Sequence, residues 1–284
     1  MDESALIMGN SVNKNENSLD RDSAKSDEKL SRMLCKEIKE KKELRGLSDA
    51  VVEDCLHDYL KKHSISLKNL KKQDFRIITK QIRSELRFLT GQYQKSLKDR
   101  PRLLQEDNFM QLLKTHSSTA ERLPFYPLIK EKIKELKIKS ILDLGCGLNP
   151  LALASPEVFY YASDIKEDEL SLIDSFFKKN KINGKTFTLD LRKLSSPLPK
   201  TDLCILFKVI DVVDKKDHAL SEKIILAVES KYILVSFSTK KLSGKAMNYP
   251  QRGWFERLLL RKGLSFEKFS IPNEIFYLIH QAKA

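Results

Sequence analysis

The residues best suited to chemistry are concentrated in one decapeptide, Ile141-Leu142-Asp143-Leu144-Gly145-Cys146-Gly147-Leu148-Asn149-Pro150. An apolar run ends there at two glycines one residue apart, where the backbone can turn tightly against a ligand that a Cβ would obstruct. Two acids follow at separations that suit one nucleoside. Asp164 closes the next apolar run, VFYYASDI, and Asp190 closes the one after it, KTFTLDL. The first of these carboxylates is placed to accept hydrogen bonds from ribose hydroxyls, and the second approaches the adenine side of the same crevice. A dinucleotide site asks for a third glycine where Pro150 stands, because its helix must come close to a pyrophosphate. S-adenosylmethionine (SAM) has no pyrophosphate and makes no such demand. Gly145, Gly147, Asp164 and Asp190 are therefore read as SAM-binding residues. Asp143 has two readings, direct cofactor contact or a loop-organising acid that accepts backbone N–H groups. Cys146 fills the turn, since no neighbouring base marks an activated thiol.

These residues need a sheet to hold them. Apolar runs at 141–144, VFYYASDI, KTFTLDL, TDLCILFKVIDVV and YILVSFST alternate with helical patterns in EDELSLIDSFFKKN, Ala219–Glu229 and FERLLLRKG. Alternation of this kind gives a mostly parallel sheet covered on both faces, with ligands beyond the strands' C-terminal ends. LSFEKFSI and NEIFYLIHQ follow with only Pro272-Asn273 between them. That link is too short for a parallel crossover, so the last two strands pair antiparallel. The expected fold is α/β: a class I SAM-dependent methyltransferase with a seven-stranded, mostly parallel sheet over 114–284, preceded by an N-terminal helical domain.

Residues 31–113 read as that helical region. Val51, Val52, Cys55, Leu56, Tyr59 and Leu60 form one apolar stripe, and Phe75, Ile78, Ile82, Leu86 and Leu89 form a second. Lys71, Lys72, Arg76, Lys80, Arg83 and Arg87 lie mostly off the second stripe and read as a basic, RNA-binding face; a merely solvated face is the alternative. Residues 1–30 are rich in Ser, Asn, Asp and Lys and read as a disordered tail. Across 284 residues, 52 Lys and Arg against 39 Asp and Glu give a formal charge of +13, which draws polyanions. Cys35, Cys55, Cys146 and Cys204 are too scattered for structural zinc or a disulfide framework. No signal peptide is evident, and no apolar run approaches the roughly 20 residues that span a bilayer. A cytoplasmic protein, away from membranes, is expected.

Upstream of the glycine turn lies His116-Ser117-Ser118-Thr119-Ala120-Glu121-Arg122-Leu123-Pro124. With Cys146-Gly147-Leu148-Asn149-Pro150-Leu151-Ala152-Leu153, it resembles the aminoglycoside-resistance family of 16S ribosomal RNA (guanine-1405, N7) methyltransferases. Ser236-Phe237-Ser238-Thr239-Lys240-Lys241-Leu242-Ser243-Gly244, Phe207-Lys208-Val209 and Trp254-Phe255-Glu256 are similar to later segments of that family. The resemblance spans roughly residues 105–280. It implies that Arg122 binds the methionyl carboxylate of SAM, a role that suits a guanidinium fork. It also implies ribose and adenine contacts at Asp164 and Asp190, and a basic N-terminal domain that binds 16S rRNA in the assembled 30S subunit. Asp211, Asp214 and the weakly basic loop 245–250 depart from the family pattern, so a divergent or housekeeping relative is included in the expectation. A monomer is expected.

Guanine N7 carries an in-plane lone pair and no proton, so no general base is assigned. The enzyme would align N7 with the methyl carbon and sulfur. His116 either organises the segment before Arg122 or is a packed polar residue. Lys208, Lys240, Lys241 and Trp254 are the remaining candidates for RNA contact. Adenine N1 presents the same proton-free chemistry, and a small-molecule methyl acceptor is a further alternative.

Overall fold

Ser140–Leu144 (β1) is buried at Ile141, Leu142, Asp143 and Leu144. A strand covered on both faces belongs at a sheet centre, and β1 lies between Phe159–Asp164 (β2) and Thr201–Phe207 (β4), parallel to both. In the computed structural model, which describes residues 16–90, 98–194, 196–214, 217–240, 247 and 250–281, Gly184–Thr188 (β3), Ser230–Ser238 (β5), Ser265–Ile271 (β6) and Glu274–His280 (β7) complete a sheet of order β3-β2-β1-β4-β5-β7-β6. The chain leaves β1 toward β2 on one side and reaches β4 on the other. That reversal opens a crevice at the C-terminal ends of β1 and β4.

β7 runs antiparallel to β6, as the two-residue link requires, and antiparallel also to β5. Asn273 takes the turn with φ +71°. The antiparallel register sets the first residue of β7, Glu274, opposite Ser238 at the C-terminal end of β5. A residue late in the chain thereby comes to the C-terminal end of a parallel strand.

Helices cover both faces. Tyr126–Glu135 (α7), Pro150–Leu153 (α8) and Glu167–Lys179 (α9) pack one face through Tyr126, Ile129, Ile173 and Phe177. Ala219–Ala227 (α11) and Gly253–Arg261 (α12) pack the other through Ile224, Ile225, Phe255 and Leu259. The short helices Arg100–Gln105 (α4) and Phe109–Lys114 (α5) also join the first of these cores, through Leu103, Leu104, Leu112 and Leu113. The boundary expected near residue 113 therefore falls earlier, ahead of α4.

The N-terminal unit is three helices with a core of their own: Glu16–Lys39 (α1), Asp49–Lys62 (α2) and Lys72–Thr90 (α3). Leu34, Ile38, Val52, Leu56, Ile78, Ile82 and Leu86 form that core. α1 begins inside the segment expected to be a tail. Its C-terminal half is anchored by Leu34, Cys35 and Ile38, and neither Gly nor Pro stands between 16 and 39 to stop the helix extending backwards. The unit sits against the sheet domain along the segment after β2. Ser48 N–H donates to Ile165 O at 3.0 Å, and Glu167 N–H donates to Gly46 O at 2.8 Å.

Candidate functional site

The turn after β1 places Gly145 at φ +68° and Gly147 at φ +49°, conformations that favour glycine. A Cβ on Gly145 would stand 2.8 Å from Val209 Cγ2, and one on Gly147 would press the His116 ring at 3.3 Å. Cys146 N–H donates to Ser163 O at 2.9 Å, tying the turn to β2. Asp164 ends β2 beneath it. Its Oδ2 accepts from Gly147 N–H at 3.0 Å and its Oδ1 from Lys166 N–H at 3.1 Å. Burial, reinforced by the charge of Glu169, pushes the Asp164 carboxyl up to about 6 against the backbone N–H bonds that favour its charge.

Arg122 ends Ser117–Arg122 (α6) and is buried. Its Nε donates to both Glu274 oxygens at 2.9 Å, and Nη1 donates to Asn149 Oδ1 at 2.9 Å. Nη2 is buried and has no hydrogen-bond partner among the described residues. The guanidinium also lies 4.8 Å from the Phe207 ring centroid. A buried guanidinium nitrogen left without an acceptor costs free energy unless a ligand supplies one. The fork expected to bind a carboxylate is thus partly committed inside the fold, and Nη2 is the nitrogen left without a protein acceptor among the described residues. Tyr126 Oη donates to the same Asn149 oxygen at 2.9 Å, fixing the amide.

Lys208, a candidate for RNA contact, is held in an ion-pair cluster and lines the crevice. Its Nζ lies 2.6 Å from Glu121 Oε2 and 3.4 Å from Glu274 Oε2, and the side chain is 8% exposed. Its φ of +57° turns the chain sharply after β4. Arg122, Lys208, Glu121 and Glu274 together make a charge-balanced floor. Beside it, Arg100 donates to Glu169 at 3.0 Å in a buried pair and to Thr115 Oγ1 at 2.8 Å. Burial pushes the His116 imidazole down to about 4, so the ring is neutral near pH 7. Asp143 is buried and accepts from Tyr160 Oη at 2.7 Å. It does not line the crevice, and the partner seen is a tyrosine hydroxyl on β2 rather than the backbone N–H groups of the loop-organising reading.

His116, Arg122, Asn149, Asp164, Glu169 and Lys208 are among the residues lining a crevice with about 840 Å³ of empty space, open solvent at its mouth included. Arg122, Gly145, Gly147, Asp164 and Asp190 all line it. Asp190 caps the 3-10 turn Leu191–Lys193, accepting from Arg192 N–H at 2.9 Å. Leu89 and Thr90, from the end of α3, close the cavity at this end. The donor set fits SAM. The orphaned Nη2 suits a carboxylate, the lone pairs remaining on Asp164 suit two ribose hydroxyls, and Leu89, Leu189 and Leu191 offer apolar surface to a base.

The remaining candidates divide. Lys71, just before α3, and Lys72, Arg76 and Lys80 along it are exposed. Arg83 instead turns inward, donating to Ile38 O at 3.3 Å and to Glu37 O, carbonyls of the last turn of α1. Arg87 is exposed but pairs with Glu43 at 2.6 Å. Trp254 stacks on His218 with centroids 3.7 Å apart and 5° between planes, and meets Phe237 and Phe255 edge-on. This packing leaves the indole face against His218 closed to a nucleobase. Lys240 is exposed just beyond β5, on the crevice edge of the sheet; Lys241 lies outside the described residues. Among the described residues, no group of His, Cys, Asp and Glu is arranged to hold a metal, and no helix is long and apolar enough to cross a membrane.

Glu274, Lys208 as a pocket residue and Arg192 were not picked out as site residues from the sequence. No local signal marks Glu274, because only the β5–β7 register brings it to Arg122. Asn149 was visible inside the Cys146–Leu153 segment, without its role.

Residues 104–279 match a family described as ribosomal RNA methyltransferase (FmrO). A 16S rRNA (guanine(1405)-N(7))-methyltransferase of Frankia casuarinae is 26% identical over 179 residues, 60% of this chain and 62% of that protein. The chain thus spans less than two thirds of that relative's length. The solved structure of the 16S rRNA methylase RmtB superimposes with a TM-score of 0.72 at 23% identity, covering 89% of this chain and 98% of that one. The 16S rRNA methyltransferase RmtF, solved with S-adenosyl-L-homocysteine, gives a TM-score of 0.72 at 20% identity and the same coverages. Coverage of 89% takes the shared fold into the N-terminal helices.

Proposed function

The chain belongs to the ribosomal RNA methyltransferase (FmrO) family, and from that premise we propose that it transfers the methyl group of SAM to N7 of a guanine in 16S rRNA, the guanine-1405 equivalent, within the 30S subunit. The name of the Frankia relative supports the choice of nucleotide. The observation that carries the reading is the buried, unpartnered Nη2 of Arg122 in a crevice that also holds Asp164 at the end of β2.

When bound, SAM supplies an electrophilic methyl group on a sulfonium sulfur. The chain's own residues hold and aim. Arg122 Nη2 would hold the carboxylate, with Glu274 and Asn149 fixing the guanidinium plane. Asp164 accepts from the ribose hydroxyls while Gly147 and Lys166 hold its carboxylate in place. Guanine N7 has no proton to lose, so no side chain removes one. The neutral, half-buried His116 fits this scheme as packing against the Gly147 turn. Alignment and exclusion of water supply the rate.

A paired guanine presents N7 to the deep, narrow major groove of A-form RNA, so the base must be displaced to reach the crevice. The exposed lysines and Arg76 on α3, together with Lys240, serve as phosphate contacts. The protein acts as a monomer. The test is incubation of purified protein and labelled SAM with 30S subunits, naked 16S RNA, transfer RNA and free nucleobases, followed by mapping of the product. Label at guanine N7 on 30S subunits is expected. Label at adenine N1, or on small molecules alone, would overturn the proposal.

A further inference from the structure

One side chain joins the adenine end of the crevice to the N-terminal helices. Arg192 Nε lies 3.0 and 3.1 Å from the two oxygens of Asp190, and its Nη2 lies 2.6 Å from Oδ2. The same Nη2 reaches Cys55 Sγ on α2 at 3.3 Å, and Nη1 reaches Glu85 on α3 at 3.4 Å. The next residue adds to the link, with Lys193 Nζ 2.9 Å from Asp54 and 3.1 Å from Asp58. Leu89 and Thr90 of α3 then form part of the crevice wall. The helical unit is built into the pocket as well as carrying a basic face.

We propose that Arg192 is a positioning residue that couples cofactor binding to the seating of the N-terminal helical unit: it fixes the Asp190 carboxylate from one side while gripping α2 and α3 from the other. The inference rests on the reading of the crevice as a SAM site. A ligand that binds only when Leu89 and Thr90 close the wall stabilises the docked unit by mass action, and the docked unit strengthens the ligand in equal measure. An Arg is suited to this position because its planar fork serves Asp190 along one edge and still presents nitrogens to two helices.

Cys55 reports on the seating. It is 2% exposed, and burial raises its thiol pKa, so a thiol reagent reaches it when the helical unit opens. It does not line the crevice, so a ligand there protects it only through the helices.

The experiment measures alkylation of Cys55 in the full chain, resolved from the other three cysteines by peptide mass spectrometry, with and without S-adenosylhomocysteine. Affinity is measured in parallel by calorimetry on wild type, Arg192→Ala and Arg192→Lys. Ligand at about 100 times its Kd is expected to slow Cys55 alkylation at least roughly tenfold in wild type. Arg192→Ala is expected to weaken binding about tenfold or more, the equivalent of one lost charge-assisted contact. At matched saturation its alkylation is expected to depend on ligand less than about twofold. Arg192→Lys keeps the charge without the fork and is expected to fall between. A purely structural Arg192 would speed alkylation of the variant while leaving the ratio with and without ligand intact, and that result overturns the proposal. Wild type that binds ligand without any change at Cys55 also overturns it and leaves the SAM reading standing. Wild type that binds no ligand overturns both.

Discussion

Replacing Asp164 by Asn tests the cofactor site with almost no change of shape. In the wild type each carboxylate oxygen already accepts one backbone N–H, from Gly147 at 3.0 Å and from Lys166 at 3.1 Å, leaving lone pairs for the two ribose hydroxyls. In Asn one of these positions becomes an NH2 group, and either orientation of the amide sets that donor against a backbone donor. The substitution therefore removes a charge-assisted bond to the ribose, worth about 1.5–3 kcal/mol, and leaves a backbone N–H unsatisfied at about 1–3 kcal/mol. With both costs falling on the bound state, the sum is roughly 2.5–6 kcal/mol, or a Kd raised about 10²–10⁴-fold. Calorimetry with S-adenosylhomocysteine measures it. The same carboxylate gives wild type a pH signature. With its carboxyl near 6, the ionised fraction falls about tenfold between pH 7 and pH 5, and affinity should fall by about the same factor. An Asn variant within about threefold of wild type, or a flat wild-type profile across that range, would refute the assignment of Asp164 to the ribose.

Three further outcomes are expected. Without ligand the Asp164 sign reverses: a carboxyl raised in the folded state to about 6 from 3.8 contributes stability that is present at low pH and lost as pH rises. Wild type should therefore gain about 1 kcal/mol over Asp164→Asn between pH 7 and pH 5, read from denaturant midpoints at each pH. Glu274→Gln removes the carboxylate shared by buried Arg122 and Lys208; breaking such a buried pair should cost about 3–5 kcal/mol in unfolding free energy, measured by urea titration. Lys240→Ala combined with Lys241→Ala should weaken 30S binding and lower its salt slope by roughly 1.5, with affinity for S-adenosylhomocysteine unchanged in calorimetry.

Local pattern made the sheet legible. β1, β2 and β3 are short apolar runs closed by a glycine turn or an acid, and Pro272-Asn273 leaves the last pair only an antiparallel arrangement. The ligand-facing residues were legible for the same reason, since Gly145, Gly147, Asp164 and Asp190 all follow strand ends. What could not be read was the partner of each charge. Lys208 and Lys240 both follow strands and look equivalent in sequence, yet Lys208 is buried between two glutamates and Lys240 is exposed. Arg83 and Lys80 lie three positions apart on α3, and only Arg83 is long enough and close enough to reach the α1 carbonyls. Helical periodicity reports which face is apolar, whereas a cation's engagement depends on elements distant in the chain.

The polar floor of the crevice suggests why Glu274 comes from the end of the chain. Arg122 must keep its charge in a dry site to hold a carboxylate, and an uncompensated buried guanidinium would be costly. A counter-ion on α6 itself would move with Arg122. Glu274 instead sits on β7, held by the β5–β7 ladder, and it also accepts from Ser236 Oγ and pairs with Lys208. The guanidinium, which lines the crevice, is thereby braced through the β5–β7 ladder, and Nη2 is left without a protein acceptor among the described residues. Such pre-orientation lowers the ordering cost of binding. It also places the cofactor's carboxylate end on a rigid floor, while the opposite, adenine end is walled by α3, the element that carries the exposed basic residues.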